Sequence, residues 1–151
     1  MLKNKKHKSK KHSAGFSLIE LLIAITIIVI LGAVVGINLL DQPQKARQNS
    51  ARMQLETFKT ALYMYVSDNG IAPTQRQGLQ ALVEKPTTEP IPANYQPNGY
   101  LDARTLPKDP WGYDYVYLTP GRNGEHFEVI CYGADGEEGG DKYNMDLTTA
   151  K

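Results

Sequence analysis

From Phe16 to Leu40 the chain runs for 25 residues with Glu20 as its only ionisable side chain. As a helix this stretch would measure about 37 Å at ~1.5 Å per residue, enough to cross a hydrocarbon core about 30 Å thick. The pattern then changes. Ala51, Leu55, Phe58, Leu62 and Tyr65 recur at spacings of 4, 3, 4 and 3, which places them on one helical face, while Arg47, Arg52, Glu56 and Lys59 supply a wet one. Pro43 lacks an N–H and predicts a kink or local melting near residues 38–43, and Asn69-Gly70 predicts the helix end. The expectation is one long N-terminal helix, uniformly apolar at first and amphipathic later, whose second half packs on a globular head.

Beyond Gly70 punctuation dominates. Thr74 and Gln77 have the spacing of a capping box for a short helix through Leu79, Leu82 and Val83, stopped at Pro86. Pro86, Pro90, Pro92, Pro97, Pro107 and Pro110 make residues 86–110 an ordered, extended loop. The segments "YDYVYLT" and "HFEVICY" alternate around "PGRNGE", the signature of a β-hairpin. The head therefore reads as α+β with a small antiparallel sheet. No internal repeat is visible.

Length and charge sharpen this picture. A chain of 151 residues that is 41% hydrophobic suits one modest domain and excludes a large multidomain enzyme. The net charge of +1 conceals an asymmetry: Lys3, Lys5, Lys6, Lys8, Lys10 and Lys11 precede Gly15 without an acidic residue among them, and the remainder carries a net charge of −5. A basic run directly before a membrane-length apolar segment reads as a positive-inside signal held in the cytoplasm rather than as a nucleic-acid arm. The small pair Ala14-Gly15 precedes the apolar segment, the reverse of a secretory signal peptide, so cutting there leaves that segment on the mature chain. A carboxylate inside it is costly, about 2.5 to 3.5 kcal/mol at a helix centre on insertion scales, and Glu20 needs a compensating partner. Gly32 and Gly36 have the G-x-x-x-G spacing of close helix packing, or are simply two permissive small residues.

The stretch "GFSLIELLIAI" resembles the processing site of type IV prepilins and type II secretion pseudopilins, with Gly before the cut, Phe after it and Glu at the fifth mature position. The resemblance implies that a prepilin peptidase cleaves between Gly15 and Phe16 and methylates the new amino terminus of Phe16. That α-amino group, with an unperturbed pKa of about 7.7 to 8.0, is largely cationic at neutral pH. It is complementary to Glu20, either within one helix or between neighbours in a filament, which makes Glu20 a registry device for assembly. The head resembles one branch of the family, the major (core) pseudopilin of type II secretion, through "GLQALVEKP", "GYL", "LPKDPWG", "Y-x-Y-x-x-PG" and "GADGEEGG" in that order between Gly78 and Gly140.

This resemblance implies a type IV pilin-like fold and three segments: a cleaved leader 1–15, a transmembrane and filament-core helix 16–40, and a periplasmic head 41–151. It further implies a subunit that polymerises from the bacterial inner membrane into a periplasmic filament serving protein transport across the outer membrane. The implied partners are other copies of the chain, minor pseudopilins, the prepilin peptidase and the inner-membrane assembly platform, with no nucleic acid. Two alternatives stay open: the major subunit of a type IV pilus, and a membrane-anchored calcium-binding module that never polymerises.

The tail "YGADGEEGGDKYNMDL" interleaves carboxylates with glycines, a composition that can fold around calcium, which takes six to eight oxygen ligands including main-chain carbonyls. Asp135, Asp141 and Asp146 are the side-chain candidates and the Tyr132 carbonyl a main-chain one; the major-pseudopilin resemblance implies calcium here. Lys142 and Tyr143 depart from the family's more acidic run, no tryptophan follows Asp146, and regular EF-hand spacing is absent, so a solvated acidic loop without metal is the alternative. Cys131 is the only cysteine, which rules out an intramolecular disulfide; in an alternating strand it reads as a small buried hydrophobe. Trp111 in "DPWG" reads as a loop residue covering the core, with an anchor for a partner as the alternative. His126 stands alone beside a turn, while His7 and His12 leave with the leader. No Ser-His-Asp arrangement, zinc spacing or phosphate loop can be assembled, and the chain is not expected to be an enzyme.

Overall fold

The computed structural model describes residues 15–40 and 42–150, the side chains of 33–40 excepted. The lysine leader, with His7 and His12, lies outside the described residues, as does Asp41 at the centre of the predicted break. The chain divides into two compact units, one ending at Asp41 and the other beginning at Gln42.

The described residues of the first unit form helix α1, Leu18–Leu40, with Glu20 in its first turn, where a carboxylate favours the positive end of the helix dipole. Its described large apolar side chains are exposed: Phe16, just before it, is 83% exposed, Leu18 87% and Ile28 68%. Among the described residues no helix is long and apolar enough to cross a membrane, the described side chains of α1 stopping at Gly32. The backbone of α1 continues to Leu40, 23 residues in all.

The second unit opens with α2, Gln42–Asn69. Pro43 falls in the first turn, where the missing N–H costs no intrahelical bond. The predicted stripe of Ala51, Leu55, Phe58, Leu62 and Tyr65 is buried, joined by Ala61, and Lys59 is half-buried rather than fully wet. The helix stops at Asn69, with Gly70 at φ 81° donating its N–H to the Val66 carbonyl at 2.7 Å.

The capping box forms reciprocally: the Thr74 N–H donates to Gln77 Oε1 at 2.9 Å and the Gln77 N–H to Thr74 Oγ1 at 3.3 Å. What it caps is a turn leading into a single 3₁₀ segment, Leu79–Leu82, not an α-helix. Gln77 Nε2 also donates to the carbonyls of Thr88 and Pro90, which pins the proline-rich segment that follows. That segment, 86–110, contains neither helix nor strand, as expected. The N–H groups of Tyr100 and Leu101 both reach the Leu82 carbonyl, at 2.7 and 3.1 Å. This approach needs Gly99, at φ 74°, where a Cβ would lie 2.8 Å from the carbonyl oxygens of Leu82 and Val83.

Three antiparallel strands follow in spatial order β1-β2-β3: β1 Val116–Leu118, β2 Glu128–Cys131 and β3 Leu147–Thr148. The hairpin is the predicted one, with Val116 opposite Ile130 and Leu118 opposite Glu128. β3 was not foreseen, and it turns the acidic tail into a closed connection between two paired strands. All four residues of β2 are buried instead of alternate ones. Val129 and Cys131 enter the core built with α2, while the opposite face is covered at Glu128 by the turn residue Arg122 and by Thr148. Phe58 against Tyr115, centroids 4.9 Å apart, and Tyr63 against Phe127, 5.1 Å, join helix to hairpin edge to face. This is an α+β architecture with a small antiparallel sheet.

Candidate functional site

Gly15, Phe16 and Ser17 precede α1 in non-helical backbone, and all three are exposed. Among the described residues nothing lies within 4 Å of where a Cβ on Gly15 would be. The Gly15–Phe16 peptide bond lies in this exposed, non-helical backbone, immediately ahead of a helix whose first turn holds Glu20. The Ser17 carbonyl accepts the Leu21 N–H at 3.1 Å, and Thr26 Oγ1 donates to the Leu22 carbonyl at 2.7 Å, so that hydroxyl is satisfied within the apolar helix itself.

The acidic tail forms a loop whose limbs are tied together. The Ala134 N–H donates to the Tyr143 carbonyl and the Asn144 N–H to the Asp141 carbonyl, both at 2.9 Å. At Gly133, φ 74°, a Cβ would stand 2.8 Å from the Asn144 carbonyl group, so the limbs meet only because that side chain is missing. Gln48 of α2 donates its side-chain amide to the Lys142 carbonyl at 2.6 Å and fastens the loop to the helix.

Within this loop Asp135 Oδ1 accepts the Glu137 N–H at 3.2 Å, Asp146 Oδ1 reaches across to the Gly139 N–H at 3.0 Å, and Asp141 is exposed. Tyr132 is half-buried at the end of β2. All four predicted positions thus fall on one pinned connection. Among the described residues no group of three or more His, Cys, Asp or Glu side chains is gathered to hold a metal ion. The donor set itself, carboxylates and carbonyls with no nitrogen or sulfur, fits a hard cation such as calcium in chemistry.

The sequence reading missed the polar structure beside this loop. Glu128, 1% exposed, accepts from Arg122 Nη2 at 2.9 Å, from the Arg122 N–H at 2.9 Å and from Thr148 Oγ1 at 2.7 Å. Burial works to raise the Glu128 pKa, but the hydrogen bonds and charge of Arg122 together outweigh it and hold the carboxyl below its ordinary range. An Arg in the hairpin turn and a Glu at an alternating strand position were the available signals. Asp109 of "LPKDPWG", also buried, accepts the N–H groups of Trp111 and Tyr113 on one oxygen and the Cys131 thiol on the other at 3.3 Å. Burial pushes the Cys131 thiol up to about 12, so it is an inert core residue, as read. Trp111 packs against the core and donates Nε1 to Gln44 Oε1 at 3.0 Å, which fits its reading as a cover. His126 is exposed beside the turn.

Comparison with known proteins adds independent weight. The family model for type II secretion system (T2SS), protein G matches residues 38–150, and the prokaryotic N-terminal methylation motif matches residues 10–36. The type II secretion system core protein G of Vibrio cholerae is 44% identical over 140 residues, covering 93% of each chain. That of Pseudomonas aeruginosa is 41% identical over 138 residues, covering 91% of this chain and 95% of the relative. Among solved structures, the major pseudopilin from the type 2 secretion system of enterohaemorrhagic Escherichia coli superposes with a TM-score of 0.61 at 38% identity, over 74% of this chain and 93% of that one.

Proposed function

The chain belongs to the type II secretion system core protein G family and is a subunit of the secretion pseudopilus, and from that premise we propose how it matures, assembles and is stabilised. A prepilin peptidase removes the leader between Gly15 and Phe16 and methylates the Phe16 amine. The segment 16–40 holds the precursor in the inner membrane with the head in the periplasm. On assembly the same apolar surface moves from lipid into the filament interior, among copies of itself. Glu20 and the Phe16 amine of a neighbouring subunit then pair in low dielectric, where an unpaired carboxylate is costly and a mispaired one stops addition. Minor pseudopilins and an inner-membrane assembly platform are the further partners, and growth of the filament helps drive folded proteins across the outer membrane. The chain acts as a structural element, not as an enzyme.

The observation that carries this reading is the exposed, non-helical Gly15–Phe16 junction directly before a helix whose described large apolar side chains all face outward, with one acid in its first turn. Intact mass and terminal sequencing of the membrane form test it. A chain beginning at Phe16 and carrying one added methyl is expected; assembled material that still carries the lysine leader would overturn the maturation reading.

Calcium in the 132–146 loop is the second element of the proposal. Asp135, Asp141 and Asp146, with the Tyr132 carbonyl, would hold it, and its charge would relieve their mutual repulsion. The support is the all-oxygen donor set on a connection tied down at Ala134–Tyr143 and at Gln48.

A further inference from the structure

The loop 132–146 carries Asp135, Glu137, Glu138, Asp141 and Asp146 against a single basic residue, Lys142. A second cation reaches it from elsewhere in the chain. Arg122, in the β1–β2 turn, places Nη1 3.2 Å from Glu138 Oε1 while Nη2 and Nε remain on the buried carboxylate of Glu128. Glu128 is in turn bonded to Thr148, the residue of β3 two positions beyond Asp146. One guanidinium thus spans the turn, the central strand and the loop.

We propose that Arg122 is the built-in counter-ion of the acidic loop, a clasp that holds the Glu138 limb against the hairpin turn when no metal is bound. The anchoring end is fixed, because Glu128 is buried and bonded on several sides. The loop end is adjustable, because the Glu138 side chain is 69% exposed and Arg122 37%. A strong pair at one end and a screened one at the other make a latch that yields locally without disturbing the sheet. The Arg122 pKa lies above its ordinary value, first through its hydrogen bonding to Glu128, with the charges of Glu138 and Asp146 adding to it. The clasp stands on geometry alone; only its relation to calcium rests on the metal reading above. A loop already held partly closed has less order to gain from a bound ion, so the clasp reduces the difference between the chelated and the loaded protein.

Amide hydrogen exchange over residues 132–146, measured by mass spectrometry on the full chain in detergent with chelator, tests this. Glu138→Gln is expected to speed exchange of the loop by about twofold to fivefold, the range of an exposed ion pair, and Glu138→Lys by more because it repels Arg122. Glu137→Gln changes the net charge equally but has no Arg122 contact, and should leave exchange as in the wild type. With calcium the Glu138→Gln and wild-type loops should converge. If both Glu138 variants exchange like the wild type in chelator, or if Glu137→Gln speeds the loop as much as Glu138→Gln, there is no clasp. Calcium leaving the wild-type exchange unchanged would overturn the metal reading instead, and the chelator comparison would still decide the clasp.

Discussion

The two helices use apolar residues in opposite ways. In α2 they recur at spacings of three and four and vanish into a core, with Phe58 and Leu62 fully buried. In α1 they occupy nearly every position, and the described large ones remain half exposed or more, from Ile27 at 52% to Leu18 at 87%. A periodic stripe is satisfied within its own chain; an unbroken apolar surface is satisfied only by something outside it, lipid or other copies. Large losses of fold stability should therefore come from the second helix, and losses of assembly from the first.

The sharpest contrast should come from truncating one residue in each. Phe58→Ala removes a fully buried ring from the core and should destabilise the head by about 3 to 5 kcal/mol. Ile28→Ala, on an exposed face of α1, should leave the head's unfolding transition unchanged; both are read by chemical denaturation of the full chain in detergent. Equal losses from the two would erase the distinction. Calcium should give the next largest effect, because binding only to the folded head stabilises it by about 2.7 kcal/mol at a hundredfold excess over Kd. The head's melting temperature should rise with calcium, magnesium should substitute poorly, and Asp135→Ala should abolish most of the rise. A head that melts at one temperature in calcium and in chelator would leave the tail a solvated acidic loop.

The smallest effect is expected from pH. Glu128 has a folded pKa below its unfolded value, so its pairing with Arg122 stabilises the head fully above the ordinary glutamate pKa of about 4.3, and the contribution fades as pH falls through the lower, folded value. The stability gap between wild type and Glu128→Gln should accordingly be constant at neutral pH and narrow below about pH 4.3. A gap independent of pH would mean the carboxylate charge plays no part.

What was legible in the sequence were features governed by local chemistry. The α2 stripe follows from helical periodicity, the end at Asn69-Gly70 from the conformational freedom of glycine, the Thr74–Gln77 pair from capping geometry and the hairpin from alternation around a turn. The fold class rested on these, and the family resemblance on "GFSLIELLIAI" and the ordered head motifs from "GLQALVEKP" to "GADGEEGG"; both agree with the matched relatives. What stayed hidden depends on distant segments meeting. β3 is only two residues long and leaves no alternation to read. The burial of Glu128 left no local signal, because its cover, Arg122, comes from the turn and Thr148 from the far side of the acidic loop. The box at Thr74 suggested a helix, but Gly78 and the return of Tyr100 and Leu101 onto the Leu82 carbonyl leave room for one 3₁₀ segment only. In the acidic loop the candidate ligands fall on one connection between β2 and β3, whereas the carboxylate pairing with Arg122 was not visible.

Filament yield from Glu20→Ala, measured beside its membrane insertion in cells with an intact secretion apparatus, tests most directly the claim that α1 is built for assembly. The substitution removes a polar group from the apolar segment, so insertion should be preserved or improved. It also removes the partner of the Phe16 amine, so filament yield should fall steeply while the head stays folded. Wild-type filament yield from Glu20→Ala would contradict the account.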